Sequence, residues 1–233
     1  MQTLYCIQHV PYEHPGIIMQ WATSRALTIE TLLLQEDPVF PRLNPDDMLL
    51  VMGGPMGAFD DAQYPWMPKE KQFIKDAIAH RIPTIGICLG AQMIAAVLDA
   101  DVTANAYTEI GFFPVAMSKS AAQNPLFSDV PRVFTPFHWH SDTFFIPKGA
   151  MRIAGNDACM NQGFIGPGKV LGLQFHLEVN TKLIDEWTDK LPPQSDPPYV
   201  QSLAEITAAA ARHTSLNRTI LETVLDRFYL THL

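Results

Sequence analysis

A short apolar segment that ends in a glycine-flanked cysteine limits the possible folds of this chain more than any other feature. Residues 84–92 read TIGICLGAQ. The β-branched residues before the cysteine predict a short buried strand, and the apolar residues 93–98 predict a buried helix that runs from Leu89 onward. Cys88 therefore lies at a strand-to-helix turn, between Gly86 and Gly90. This is the pattern of a nucleophile elbow, in which a Cβ at either glycine would collide with the neighbouring strand or helix.

The position of Cys88 also indicates its chemistry. A thiol at a helix N-terminus faces unpaired amides, which favour the thiolate. The amide of Leu89 would point to where a tetrahedral oxyanion forms. A free cysteine is nevertheless commonly a small buried hydrophobic residue. A catalytic interpretation therefore requires a base elsewhere in the chain.

The rest of the pattern predicts an α/β fold with an open, mostly parallel central sheet. Strands are predicted at 3–10, 27–34, 48–52 and 85–87, and helices begin near Ile17 and Pro68 between them. This alternation favours a parallel sheet with helices on both faces. Beyond residue 101, short β-prone runs predict added antiparallel strands at 112–117, 132–137, 143–146, 151–154, 163–165 and 170–174, followed by a helix at 181–191.

We predict one catalytic domain with a C-terminal extension. Residues 1–191 form the catalytic domain, and residues 192–198, PPQSDPP, are expected to be a stiff linker. The extension, residues 192–233, continues as a helix, and packing of its apolar stripe on the same domain is favoured over a partner surface. The stripe consists of Leu216, Ile220, Leu221, Val224, Leu225 and Phe228.

Charge and cysteine content argue against several functional classes. The net charge of −8 and the absence of a basic run argue against nucleic-acid binding. No apolar segment of 18 residues exists, so no membrane association is expected. The N-terminus has no basic leader, and Cys6, Cys88 and Cys159 share no metal-ligand spacing. We therefore expect a reduced, cytoplasmic location and neither a metal nor a cofactor.

A histidine and a glutamate two residues apart supply the missing base. Residues 172–178 read GLQFHLE. Residues two apart on an extended strand project to the same side, so Glu178 can hydrogen-bond one imidazole nitrogen of His176. The other nitrogen is then free to face Cys88. The alternative is a lone strand histidine beside an exposed glutamate, and the cysteine elbow in the same chain favours the catalytic interpretation.

Three motifs resemble those of the class I (triad) glutamine amidotransferases. They are GGP at 53–55, GICLGAQ at 86–92 and QFHLE at 174–178, in that family's order and at about its separations. The segments EIGFFPV at 109–115 and HWHSD at 138–142 are similar to stand-alone domains that resemble the amidotransferase domain of GMP synthase. The resemblance covers about residues 3–191 and implies a flavodoxin-like core.

The resemblance also implies the catalytic roles. Cys88 would be the nucleophile, His176 the base and then the acid, and Glu178 the residue that orients His176. The amides of Gly54 and Leu89 would form the oxyanion hole, and Gly54 would lack a side chain because its backbone approaches the substrate.

Four further residues are implied as substrate contacts. Gln92 would contact the α-amino or α-carboxylate end of glutamine. Trp139, His140 and Asp142 match a substrate-side loop, in which Asp142 would pair with the α-ammonium group. From the residues alone, Asp142 can equally cap a turn, and His138 and His140 are more simply polar loop residues.

Three functions remain open at this point. The motifs favour a hydrolase that releases ammonia and glutamate from L-glutamine, and a separate synthetase subunit is expected to accept the ammonia. The same triad would serve a γ-glutamyl peptidase. A non-enzymatic protein that binds glutamine or a partner is the third possibility. Residues 56–66, which include Phe59, Tyr64 and Trp66, are expected where the leaving group exits.

Overall fold

Buried apolar runs form the strands of a central sheet, as their sequence pattern predicts. The computed structural model describes residues 2–190 and 198–230. Its strands are β1 (Thr3–Gln8), β2 (Thr28–Leu33), β3 (Met48–Val51), β4 (Thr84–Ile87), β5 (Val102–Phe112), β6 (Val115–Met117), β7 (Val133–Phe134), β8 (Phe137–Phe144), β9 (Met151–Arg152), β10 (Ala154–Gly155), β11 (Gly163–Gly166) and β12 (Val170–Leu173). Its α-helices are α1 (Ile17–Ser24), α2 (Met67–Ala79), α3 (Leu89–Val97), α4 (Thr181–Lys190) and α5 (Leu203–Leu230).

The central sheet has seven strands in the order β2-β1-β3-β4-β12-β11-β9. The five strands from β2 to β12 pair in parallel, and β11 and β9 add antiparallel pairs at one edge. The parallel part has the strand order of a flavodoxin-like core. The predicted fold class is therefore confirmed.

Helices cover both faces of this sheet. Successive strand residues point to opposite faces, so the strands divide between two apolar clusters. Leu4 and Cys6 of β1 join one cluster, which also contains residues of α1 and α5. Tyr5 and Ile7 join the other, which contains residues of α2 and α3. The core therefore lies in two layers, one on each side of the sheet.

The segment after residue 101 differs from the prediction. Residues 170–174, predicted as an added antiparallel strand, form β12, which pairs antiparallel with β11 but parallel with β4 inside the central sheet. Strand β5 begins at Val102, ten residues before the predicted start, and pairs antiparallel with β8. Residues 138–142, predicted as a loop, lie within β8. The prediction was wrong because residues 102–109, VTANAYTE, contain few large apolar side chains. Their extended conformation is instead stabilised by pairing with β8, which is remote in sequence.

The C-terminal segment packs against the sheet and against β5. Residues 199–201 bond to β5, because the Ile110 amide donates to the Tyr199 carbonyl at 2.9 Å. Five of the six predicted stripe residues of α5 are buried in the first cluster, and Leu216 is 46% exposed. The predicted linker lies outside the described residues except for Pro198. No helix in the described part of the chain is long and apolar enough to cross a membrane.

Candidate active site

The three sequence motifs meet at the carboxyl ends of three adjacent parallel strands. The glycine motif follows β3, Cys88 follows β4, and the His176 segment follows β12. The Cys88 amide donates to the Leu173 carbonyl at 2.8 Å, which fixes the two neighbouring segments together. Loops at the carboxyl ends of parallel strands are the usual place for a site in such a fold.

Cys88 has the strained backbone of a nucleophile elbow. Its φ is 53° and its ψ is −111°, a region that L-residues seldom occupy. A Cβ on Gly86 would lie 2.5 Å from the Gly90 carbonyl oxygen, and a Cβ on Gly90 would overlap the Val51 carbonyl. The predicted need for both glycines is confirmed. The thiol lines a cavity of about 300 Å³, and its Sγ lies 3.6 Å from the Trp139 carbonyl.

His176 and Glu178 form a buried pair beside Cys88. His176 Nδ1 donates to Glu178 Oε1 at 2.6 Å. Strand β12 ends at Leu173, so the extended strand on which the sequence argument relied stops before this pair. A bridge to Phe137 holds His176 instead, with the His176 amide donating to the Phe137 carbonyl at 2.8 Å.

The environment of His176 favours its protonated form. Burial is the largest effect and lowers the pKa of His176, but the Glu178 carboxylate and the adjacent Cys88 thiol raise it well above its ordinary value. The Trp187 ring meets the imidazole edge-on, with centroids 4.9 Å apart. Since Nδ1 is engaged by Glu178, Nε2 is the nitrogen left to exchange a proton with Cys88.

The amides of Gly54 and Leu89 are free to donate to a ligand. Leu89 is the first residue of α3, where an amide has no partner within the helix. Within residues 2–190 and 198–230, neither amide meets a backbone or side-chain acceptor. A Cβ on Gly54 would lie 2.9 Å from His9 Cβ and 3.1 Å from Leu89 Cδ2. Packing against these two side chains is therefore a second reason for glycine, besides the predicted approach to substrate.

A second histidine–glutamate pair lies behind the glycine motif. His9 Nδ1 is 2.9 Å from the Gly53 carbonyl oxygen, and Nε2 is 2.9 Å from Glu70 Oε1. Both side chains are fully buried. A carbonyl only accepts, so Nδ1 carries a proton. Burial lowers the pKa of His9, but Glu70 and the Gly53 hydrogen bond raise it overall, which favours an imidazolium that donates to both partners.

This pair determines how the Gly53–Gly54 peptide is oriented. The Gly53 carbonyl and the Gly54 N–H belong to one planar trans peptide, and they point in opposite directions. By binding the carbonyl, His9 turns the Gly54 N–H away from itself. Sequence reasoning missed the pair because His9 and Glu70 are 61 residues apart, and neither belongs to a recognisable motif.

The predicted substrate contacts line the same cavity. Gln92, Trp139, His140 and Asp142 are all in its wall. Gln92 Nε2 donates to Gln174 Oε1 at 3.1 Å and lies 3.4 Å from the Asp142 carbonyl oxygen. Burial raises the pKa of the Asp142 carboxyl group, and the nearby His140 opposes this effect. Asp142 is within β8, so its alternative role as a turn cap is wrong.

His138 and His140 are not the polar loop residues that their sequence suggested. Both are buried in β8, beside the buried carboxylate of Glu109. Burial is the main cause that lowers the pKa of His138 to about 4. Burial opposes ionisation of Glu109, but the two imidazoles and the Asn156 amide hold its pKa at about 2. A charged hydrogen-bonded network therefore supports the strand that carries Trp139 and Asp142.

This network contains the one group of described residues that has the composition and spacing of a metal site. Ligand atoms of Glu109, His140 and Cys159 lie within 4.8 Å of one another and are buried. The Glu109 oxygens already accept hydrogen bonds from the Asn156 and Gln162 amides at 2.7 and 2.6 Å. The Cys159 thiol pairs with the Thr143 hydroxyl at 3.2 Å. We interpret the group as a hydrogen-bonded network.

Glu13 is a further cavity residue that sequence reasoning missed. It lies in the turn before α1 and is 8% exposed, and its side chain lines the cavity beside His176. Nothing in the sequence distinguishes it from an ordinary turn glutamate. By contrast, residues 58–66 do not contribute to the cavity wall, and Met56 and Gly57 are its contacts from that segment. The aromatic rings of Phe59, Tyr64 and Trp66 therefore do not line the cavity, and their place at the exit remains a prediction.

Comparison with known proteins agrees with this geometry. The profile of the glutamine amidotransferase class-I family matches residues 18–187. The chain belongs to the class I glutamine amidotransferase family. The glutamine amidotransferase-like protein YfeJ of Salmonella typhimurium is 28% identical over 213 residues, which cover 88% of this chain and 89% of YfeJ.

The chain is also similar to one subunit of a synthase and to two proteins of known structure. A subunit of the glutamine-hydrolyzing GMP synthase of Thermoplasma acidophilum is 28% identical over 162 residues, 69% of this chain and 77% of that one. A glutamine amidotransferase from Methylobacillus flagellatus superposes with a TM-score of 0.90 at 29% identity, covering 99% of this chain and 95% of that one. A glutamine amidotransferase from Thermotoga maritima superposes with a TM-score of 0.86 at 29% identity, covering 98% of each chain.

Proposed function

We propose that this chain hydrolyses the side-chain amide of L-glutamine and releases ammonia and glutamate through a thioester on Cys88. The observation that carries the proposal is the convergence of a strained cysteine with a buried histidine–glutamate pair in one cavity. Membership of the class I family supports the same reaction. In this proposal Cys88 is the nucleophile, His176 the acid and base, and Glu178 the residue that orients His176.

The first half of the reaction forms the thioester. The Cys88 sulfur attacks the amide carbon, and the carbonyl oxygen becomes an oxyanion that accepts hydrogen bonds from the Gly54 and Leu89 amides. The raised pKa of His176 supports its role as the proton donor. When the carbon–nitrogen bond breaks, Nε2 passes its proton to the departing nitrogen and ammonia leaves.

The second half releases glutamate. His176, now neutral, takes a proton from a water molecule that attacks the thioester carbon. The same two amides stabilise the second oxyanion, which collapses and expels the Cys88 thiolate. Glu178 keeps the proton on Nδ1 throughout and stabilises the imidazolium each time it forms. In the same proposal Gln92, Trp139, His140 and Asp142 hold the α-amino and α-carboxylate groups.

The fate of the ammonia is part of the proposal. The Thermoplasma acidophilum relative is named as one subunit of a glutamine-hydrolyzing synthase. By that likeness, a synthetase on another polypeptide would accept the ammonia. We also propose a cytoplasmic location, because Cys6, Cys88 and Cys159 are free thiols.

Kinetics of triad variants test the proposal. Purified protein should hydrolyse L-glutamine, and Cys88→Ala should abolish the reaction. His176→Asn should lower kcat by about three orders of magnitude, and Glu178→Gln should cost less because the base remains. Ammonia release and Cys88 labelling by a glutamine-like chloroketone are the measurements. Wild-type rates in both variants, or a label on Cys6 or Cys159 with Cys88 unmodified, would refute the assignment.

A further inference from the structure

One carboxylate in the cavity has no role in the proposed chemistry. Glu13 is more than nine-tenths buried, and its Oε2 lies 2.6 Å from where a Cβ of Gly53 would stand. His176 Cε1 and Cys88 Cβ lie 3.4 and 3.5 Å from the same point, so the Gly53 backbone borders Glu13, His176 and Cys88 together. In the described parts of the chain, no side chain or amide donates a hydrogen bond to the Glu13 carboxylate.

Glu13 lies on the side of the cavity where the leaving group departs. The amide nitrogen must leave toward His176, because His176 protonates it. The proposed substrate contacts Gln92 and Asp142 belong to α3 and β8. Glu13 and Trp187 come from other parts of the chain, the turn between β1 and α1 and the helix α4. Trp187 packs on His176, and its indole N–H donates to the Tyr12 carbonyl at 2.7 Å. Tyr12, Glu13 and Trp187 line the cavity together with His176.

We propose that Glu13, Tyr12 and Trp187 form a leaving-group subsite that accepts ammonia and uncharged or cationic amines and rejects leaving groups that bear a carboxylate. The inference rests on the proposed function and narrows its substrate class to γ-glutamyl amides, including L-glutamine. In a γ-glutamyl peptide, the carboxylate of the second amino acid lies close to the scissile nitrogen. It would meet the Glu13 carboxylate, and two carboxylates without a donor between them repel each other strongly in a partly dry cavity.

The charged groups around Glu13 agree with this preference. Burial is the main cause that raises the pKa of Glu13, and the Glu178 carboxylate adds to it, whereas the imidazoles of His176 and His9 favour the ionised carboxylate. An amine released near neutral pH takes up a proton, and its charge offsets the burial of the carboxylate. Lys190, whose ammonium lies 5.5 Å from the Tyr12 ring centroid, is exposed and does not line the cavity. It therefore leaves Glu13 as the charged group of the subsite.

Substrate selectivity tests the proposal. L-Glutamine, γ-glutamylethylamide and γ-glutamylglycine would be compared with the wild type and with Glu13→Gln. The two larger substrates have leaving groups of similar size that differ mainly in the carboxylate. The wild type should prefer the ethylamide by about tenfold or more in kcat/KM. Glu13→Gln should reduce that preference at least about fivefold, chiefly by improving γ-glutamylglycine.

The rate of Cys88 alkylation reports the charge of Glu13 independently of substrate hydrolysis. Iodoacetate is an anion and iodoacetamide is neutral, so the ratio of their rates at Cys88 reports the charge nearby. Glu13→Gln should raise the iodoacetate-to-iodoacetamide ratio severalfold. Glu30→Gln, which removes an exposed carboxylate from β2, is the matched control and should leave the ratio unchanged.

The outcomes separate this inference from the proposed function. Hydrolysis that depends on Cys88, with the same selectivity and alkylation ratio in Glu13→Gln as in the wild type, would overturn the leaving-group subsite alone. A wild type that prefers γ-glutamylglycine over the ethylamide would also overturn it. Turnover of none of the three substrates would overturn the proposed function, and the inference with it.

Discussion

At the scale of single residues, the His9–Glu70 pair explains how the isolated chain can hold the Gly53–Gly54 peptide in the orientation that the proposed oxyanion hole requires. A glycine peptide has little intrinsic preference for either orientation, because glycine tolerates both signs of φ. His9 removes this freedom by binding the Gly53 carbonyl at 2.9 Å from a fully buried position. The opposite end of the same peptide, the Gly54 N–H, is thereby oriented before substrate arrives. Preorganised donors of this kind are a large source of catalytic rate.

Replacing the pair should lower kcat more than it raises KM. His9→Leu combined with Glu70→Leu removes the donor to Gly53 without leaving a charge unpaired in the core. We expect kcat for L-glutamine to fall about 10²-fold or more, as when one oxyanion donor is lost, with KM little changed.

A matched variant separates the donor from the packing. In His9→Asn with Glu70→Leu, the asparagine amide occupies nearly the position of the His9 Nδ1 donor and can still bind the Gly53 carbonyl. Most of the lost kcat should return in this variant. Equal kcat in the two double variants, at equal stability toward urea, would show that the pair contributes packing alone.

Site residues that belong to local motifs could be predicted from the sequence, whereas residues that contact the site only through the fold could not. Cys88, His176 and Glu178 could be found because a turn and a two-residue spacing place each of them locally. His9, Glu70 and Glu13 could not, because their partners are set by the fold. The roles assigned to the triad, to Gly54 and Leu89, and to the substrate contacts remain predictions that kinetics must test.

At the scale of secondary structure, the fold requires glycine for two different reasons, one at the elbow and one in the turn before β9. Gly90 needs space, because a Cβ there would overlap the Val51 carbonyl where β3 runs into the glycine motif. Gly149 shows the other demand, because its φ is +81° while a Cβ would meet nothing within 4 Å. The first demand is steric and the second is conformational. Alanine substitution at the two positions separates them.

Gly90→Ala should destabilise the protein far more than Gly149→Ala. Forcing a Cβ into backbone atoms at Gly90 should cost more than about 3 kcal/mol, since β3 and α3 must separate. Gly149→Ala should cost only about 1–2 kcal/mol, the price of a left-handed conformation. Urea denaturation measures both free energies of unfolding. Comparable losses at the two sites would contradict the close packing of α3 on β3.

The sequence predicted those elements whose residues are buried along their whole length. It did not predict the strands whose conformation depends on pairing with a remote strand. The strands β3 and β4 and the helix α3 consist mainly of buried apolar residues, and their bounds agree with the prediction within one residue. Strands β5 and β8 contain polar residues that face the cavity or solvent. Their extended form comes from a ladder between segments about thirty residues apart, and this ladder leaves no periodic signal in either segment.

At the scale of the whole molecule, α5 completes the apolar layer on one face of the sheet. Trp21 of α1 and Leu225 of α5 belong to the same buried cluster as the inward residues of β1, β3, β4 and β12. The Asn217 amide also donates to the Thr135 carbonyl at 3.0 Å, just before β8. The predicted boundary between a catalytic domain ending at 191 and an extension remains a prediction. These contacts favour a single folding unit that includes α5.

A pair of leucine variants on α5 tests whether the molecule unfolds as one unit. Leu225 is fully buried in the cluster beneath the sheet, whereas Leu216 on the same helix is 46% exposed. Leu225→Ala should lower the free energy of unfolding by about 2–5 kcal/mol, because it leaves a cavity that the packed sheet cannot close. Leu216→Ala should change it by about 0.5 kcal/mol or less. If α5 is part of one cooperative core, tryptophan fluorescence, whose four sources all lie outside α5, and helical circular dichroism will both shift to the same lower urea midpoint in Leu225→Ala. A loss of helical signal at low urea, with the fluorescence transition unchanged, would instead show that α5 unfolds separately from the sheet.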